Sequence, residues 1–146
     1  YPEKKNVIVN EAKKEIVVLM KDYCCLDPKW YKGFCFYLTI FGNNFDMLMN
    51  VINDANDKRY LDWVYLGKKG RLIPYNVATD KMYISGGFLL AKKYVFRYIK
   101  FDESKVGLGK ETDVDWSKEA LKFYEYRMNL FSKCIAFNAG KRRFTV

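Results

Sequence analysis

The chain of 146 residues contains no histidine and only three prolines. Without imidazole, a structural zinc site would have to be built entirely from thiolates, and the four cysteines lack the spacing for it. Cys24 and Cys25 are adjacent rather than separated by two residues as in a metal knuckle, and Cys35 and Cys134 are isolated in sequence. Reduced, partly buried thiols in a reducing compartment are expected, with a disulfide between distant partners left open. No apolar run approaches the ~18 residues of a membrane span. The longest, Phe34 to Phe41, is broken by Thr39, so no transmembrane segment is expected. The first residue is Tyr1, and no basic segment followed by an apolar one stands behind it. That start fits a processed product or a piece of a longer chain. Internal repeats, low-complexity tracts and the RNP, KH and zinc-knuckle patterns are missing as well.

What the chain does have is apolar and basic. Half of the residues are hydrophobic and 18% aromatic, with twelve Tyr and eleven Phe. A single compact domain of this length buries roughly 68–70% of its unfolded surface, so a substantial core is available. The net charge is +9 and the pI about 9.3. Such an excess favours anionic partners: nucleic acid, a nucleotide diphosphate or an acidic membrane surface. A Lys-rich solvated face gives the same balance.

The hydrophobic pattern predicts alternating elements. A helix ends near Lys14, and the continuous run Ile16 to Met20 reads as a strand buried on both faces of a parallel sheet, followed by a loop over Lys21 to Leu26. Asp27 and Pro28 mark a helix start, with Trp30, Phe34, Tyr37, Leu38 and Phe41 on its buried face. After a stop at Gly42 to Asn44, the spacing of Phe45, Leu48, Met49 and Ile52 predicts a second helix. Strands follow over Leu61 to Leu66 and Lys81 to Ser85, with a basic turn at Gly67 to Gly70 between the first of them and an edge segment from Arg71. Leu89 to Tyr98 turns helical. A last helix opens at Thr112 and carries Trp116, Ala120, Phe123, Tyr124 and Phe131 on one face, before a closing strand at Lys133 to Phe137. This order is that of an α/β domain with a mixed, mostly parallel sheet flanked by helices.

The stretch from Tyr83 to Trp116 carries the chemistry. Gly86 and Gly87 let a backbone approach a ligand where a side chain would collide, and the carboxylates beyond them can hold a hydroxyl or a cation. Asp113 and Asp115 sit at the amino end of the last helix, where helix capping and the helix dipole explain them equally well. Gly107 and Gly109 lack the third glycine and the preceding strand of a dinucleotide fingerprint.

Several short motifs occur in order: Asn6, Asn10 and Ala12; Ile16 to Met20 with Asp22; Leu26-Asp27-Pro28 with Trp30; the glycine pair; Phe101-Asp102-Glu103; and Thr112-Asp113. Together they resemble the later, acceptor-side part of the inverting, polysaccharide-building GT-A glycosyltransferases. The resemblance covers about Asn6 to Arg143, and the early base-binding portion of such a domain has no counterpart. It implies a GT-A-like domain, or the C-terminal portion of one, that transfers sugar from a nucleotide-sugar donor to a glycan or other hydroxyl acceptor. Asp113 inherits the role of general base. Gly86, Gly87, Asp115, Trp116 and Lys110 fall where donor and acceptor bind, and Lys21 and Arg142 are further cations for the diphosphate. The family's paired metal-binding carboxylates are represented by Asp22 alone, because Tyr23 and Cys24 stand where a second acid is expected; Asn138 falls near the family's metal-reaching histidine. Mg²⁺ or Mn²⁺ is the implied cofactor. The implied location is cytoplasmic or peripheral at the cytoplasmic membrane face. The alternatives from other classes are an inactive relative of these enzymes and a basic module that binds nucleic acid through interleaved cations and tyrosines.

Overall fold

The computed structural model describes residues 2–67, 70–105 and 112–137. Its elements in chain order are α1 (Pro2–Glu11), β1 (Ile16–Met20), β2 (Cys24–Leu26), α2 (Trp30–Phe41), β3 (Met47–Asp54), β4 (Val64–Leu66), β5 (Gly70–Leu72), β6 (Met82–Tyr83), β7 (Phe88–Lys92), α3 (Lys93–Tyr98), α4 (Thr112–Ala120) and β8 (Tyr126–Ala136). Two sheets form, a five-stranded one in the order β1-β7-β3-β8-β2 and a three-stranded one in the order β5-β4-β6. The domain is α/β and mixed, as the pattern predicts. It is not mostly parallel: in the larger sheet only β3 and β8 run parallel, while β1/β7, β3/β7 and β2/β8 are antiparallel.

β3 is the central strand, and it corrects the helix expected from Phe45. Its residues Met47 to Asn50 are all buried, with β-branched Val51 and Ile52 following. In a run this continuously apolar, helical spacing is satisfied by coincidence, and burial between β7 and β8 decides the outcome. β1 is corrected in the opposite sense. It pairs only with β7, its burial alternates, and Val18 and Met20 are exposed, so it is an edge strand and not a doubly covered one. The loop expected after it contains β2, which closes the far edge of the sheet against β8. Leu89 to Lys92 are strand, and the helix begins only at Lys93.

α2 lies against β8. Trp30, Phe34 and Tyr37 are buried as expected, while Phe41 is exposed. Asp27 does not cap a free helical turn. It accepts from Lys29 N–H through Oδ1 at 2.8 Å, and the helix starts beyond it at Trp30. At Gly33 the helix comes so close that a Cβ would overlap the Phe131 carbonyl. The β3/β8 register slips here, pairing Asn50 with Asn129 but Val51 with Lys133. The extra residues on β8 are held by Asn129 Nδ2, which donates to Ser132 Oγ at 2.9 Å, and by that hydroxyl, which donates to Trp30 O at 2.8 Å. The final helix is shorter than its apolar spacing predicts. α4 ends at Ala120, and Tyr126 onward is strand, so Phe131 belongs to β8. Among the described residues, no helix is long and apolar enough to cross a membrane.

Candidate functional site

The site forms where the carboxyl end of β1, the turn between β6 and β7, and the start of α4 meet. Lys21 N–H, just past β1, donates to Gly87 O at 3.0 Å. Ser117, buried in α4, accepts from Ile84 N–H at 2.9 Å and donates to Asp113 O at 2.6 Å. One hydroxyl therefore joins the first turn of α4 to the β6–β7 turn that carries the glycine pair. Gly87 N–H donates to Ser85 Oγ at 3.1 Å, and Gly86 N–H approaches Tyr83 Oη at 3.4 Å.

Asp113 is the centre of this arrangement. Its side chain retains 14% exposure, and its carboxylate pairs with Lys5 of α1 and, at 3.6 Å, with Lys21. A Cβ at Gly86 would overlap that carboxylate, so the absence of a side chain at 86 is what admits it. Gly87 is also confined: a Cβ would lie 3.1 Å from Tyr23 Oη and 3.4 Å from Cys24 Sγ. Burial first and the Asp113 charge second push the Tyr83 phenol well above the usual tyrosine range, so its hydroxyl stays protonated beside the carboxylate. A pocket of about 230 Å³ opens at this point between α1 and β1, lined by Lys5, Lys21, Gly86 and the apolar Ile8, Val18 and Met20.

The remaining residues singled out from sequence fall into three groups. Asp22 belongs to the same loop as Lys21 and Tyr23 but is exposed. Asp115 lies two residues along α4 from Asp113, on another face of the helix, and its carboxylate is engaged by Lys105 and, at 3.9 Å, by Lys118. Trp116, expected to contact ligand, is 3% exposed. Its ring stacks on Phe101 at 5.1 Å and Phe96 at 5.5 Å, and its Nε1 donates to Ile99 O at 2.7 Å, so it seats α4 instead of facing the pocket. Lys110, Asn138 and Arg142 lie outside the described residues.

Sequence reasoning missed Lys5 and Tyr83. Next to Lys5, Asn6 clamps the Phe101 backbone by donating to its carbonyl at 2.9 Å and accepting from its N–H at 3.1 Å. The same clamp holds Lys5 4.4 Å from the Phe101 ring centre.

A divalent cation does not suit the donors among the described residues. Among the described residues no group of three or more His, Cys, Asp and Glu is placed to hold a metal ion. Asp113 is already matched by two ammonium groups, and Asp22 alone supplies too few oxygens for Mg²⁺ or Mn²⁺.

No protein-family model matches this chain, and no curated protein matches it. Among solved structures, the crystal structure of S. aureus TarS 1-349, a glycosyltransferase, superposes with a TM-score of 0.56 over 96% of this chain at 14% identity. The chain spans 38% of the length of that structure. At such identity the likeness is one of fold alone: the chain shares the α/β fold of the matched part of that structure.

Proposed function

We propose that the chain carries the acceptor-side part of a GT-A-type, inverting glycosyltransferase site. The observation behind this reading is that Lys5, Lys21 and Gly86 line one pocket and that all three meet the Asp113 carboxylate, the lysines as ion-pair partners and Gly86 by leaving it room. In the resting protein Lys5 and Lys21 neutralise Asp113. A nucleotide-sugar diphosphate entering beside Gly86 competes for both ammonium groups, and the carboxylate is released to take the proton of an acceptor hydroxyl. That oxygen then attacks the anomeric carbon, the bond from this carbon to the diphosphate breaks with inversion, and the departing diphosphate keeps the bonding electron pair. The lysines offset its growing charge, the part that a divalent cation plays where an acidic cluster is present. Asp115 is a supporting residue of α4, and Ser117 holds Asp113 in position.

The test is release of nucleoside diphosphate by the intact protein from a panel of nucleotide sugars, with hydroxyl acceptors, in magnesium, in manganese and in chelator. Donor-dependent release that persists in chelator is the expected result. No release with any donor, alone or with acceptor, overturns the reading.

A second reading is favoured by the same ion pairs. If Lys5 and Lys21 hold Asp113 permanently, the domain is an inactive relative that still binds the diphosphate, and the panel then shows saturable nucleotide binding with no turnover.

A further inference from the structure

The opposite end of β1 carries a different concentration of charge. β1 pairs antiparallel with β7, so Met20 and Phe88 stand at the Asp113 end while Ile16 and Lys92 stand at the other, about 13 Å away along a five-residue strand. There a pocket of about 390 Å³ lies between the α1–β1 connection and α3. Its charged lining is Lys13, Lys14, Lys92, Lys93 and Arg97 against Glu15 alone.

Two of these cations belong to the scaffold. Lys92 is 9% exposed, and its Nζ donates to Asn43 Oδ1 at 2.5 Å with the Phe45 ring centre 5.1 Å away. Lys93 Nζ donates to the Asn10 and Ala12 carbonyls at the end of α1, and its backbone N–H donates to Glu15 O at 2.6 Å. The nearby carboxylate of Asp46 is already used, accepting from Tyr94 Oη and from Glu125 N–H. Lys13, Lys14 and Arg97 are exposed and make no hydrogen bond or ion pair among the described residues. Holding five cations around one cavity with one carboxylate costs free energy through mutual repulsion, and an anion inside the cavity would offset it.

We infer that this pocket binds a small, multiply charged phosphate compound, separately from the pocket beside Gly86. Its volume lies within the ~300–1,000 Å³ of small-molecule sites. The Arg97 guanidinium can take two phosphate oxygens together, and the lysines act as point charges around them.

Inorganic pyrophosphate is the probe, titrated into the whole protein at low salt while backbone amide resonances are followed. The amides of Lys13 to Glu15 and Lys92 to Arg97 should shift saturably, with affinity falling as salt rises. Lys14→Gln with Arg97→Gln should weaken this titration about tenfold or more, and both side chains are exposed, so the fold is not at risk. Lys21→Gln, at the far end of β1, should leave these shifts unchanged and alter only those near Gly86. Absence of shifts around Lys14 and Arg97 at millimolar pyrophosphate overturns the inference. So does an affinity that the double variant leaves intact. Vesicles of phosphatidylglycerol that bind the protein while soluble pyrophosphate neither binds nor competes would assign the cations to a lipid surface, and would also overturn it.

Discussion

Gly86 and Asp113 occupy one volume, and the cost of that arrangement falls on function before it falls on stability. A methyl group at 86 meets only the outer atoms of a side chain, which can swing away. Gly86→Ala should therefore leave the thermal midpoint within a few degrees of wild type while lowering turnover by about a hundredfold, the scale set by misplacing a reacting group by about 1 Å. Thermal unfolding and diphosphate release on the same preparation check this. A large loss of stability with activity retained would separate Gly86 from the site. The glycine pair and Asp113 were legible in the sequence because a close backbone approach and a carboxylate at a helix start each restrict residue type. Lys5 was not legible. It reaches Asp113 across 108 positions, and nothing in the local sequence separates it from its neighbour Lys4.

Among the elements, α2 and β8 meet through backbone. A Cβ at Gly33 would run into the Phe131 carbonyl, part of the irregular segment that lets β8 stay paired with β3 on either side. This neighbour cannot swing away, so Gly33→Ala should destabilise the fold by about 1–3 kcal/mol or more, the usual cost of overpacking. Denaturant unfolding of the variant measures it, and an unchanged midpoint would show that α2 can lift from the sheet without penalty. Helix α2 itself was readable from Trp30, Phe34 and Tyr37 at helical spacing. β3 was not, because Phe45, Leu48, Met49 and Ile52 satisfy that same spacing, while the last three lie in a strand covered on both sides and Phe45 precedes it. β1 misled for a related reason: five consecutive apolar residues imply cover on both faces, yet this strand has one partner and shows Val18 and Met20 to solvent.

For the molecule as a whole, burial of acidic side chains in their protonated form sets an alkaline limit. Burial raises the Cys24 thiol from its ordinary 9.0 to about 11 and the Cys134 thiol to about 12, with neighbouring cysteines adding to each. Burial first, with the nearby Asp62 and Tyr83 adding to it, raises the Tyr126 phenol well above the ordinary tyrosine value of 10.0. These groups hold their protons in the folded protein at pH values where the unfolded chain releases them. Their contribution is complete below pH 9 and is lost as pH rises through the folded values. Denaturant midpoints measured across this range should be flat up to about pH 9 and then fall steadily, at constant ionic strength. A midpoint that holds to pH 12 would mean that these thiols and phenols are open to solvent. The overall class, α/β with a mixed sheet, could be read from the order of apolar segments. The strand order could not, because which strand lies beside which depends on contacts between distant segments that no local period encodes, and the antiparallel majority followed from that order.

The most direct measurement of the account is the turnover of Asp113→Asn against wild type with the best donor and acceptor, at saturating concentrations of both. Loss of the carboxylate proposed as general base should lower kcat by about 10²–10⁴-fold, with donor binding retained through Lys5 and Lys21. A variant that turns over within a few fold of wild type would contradict the role given to Asp113 and, with it, the glycosyl-transfer site built around it.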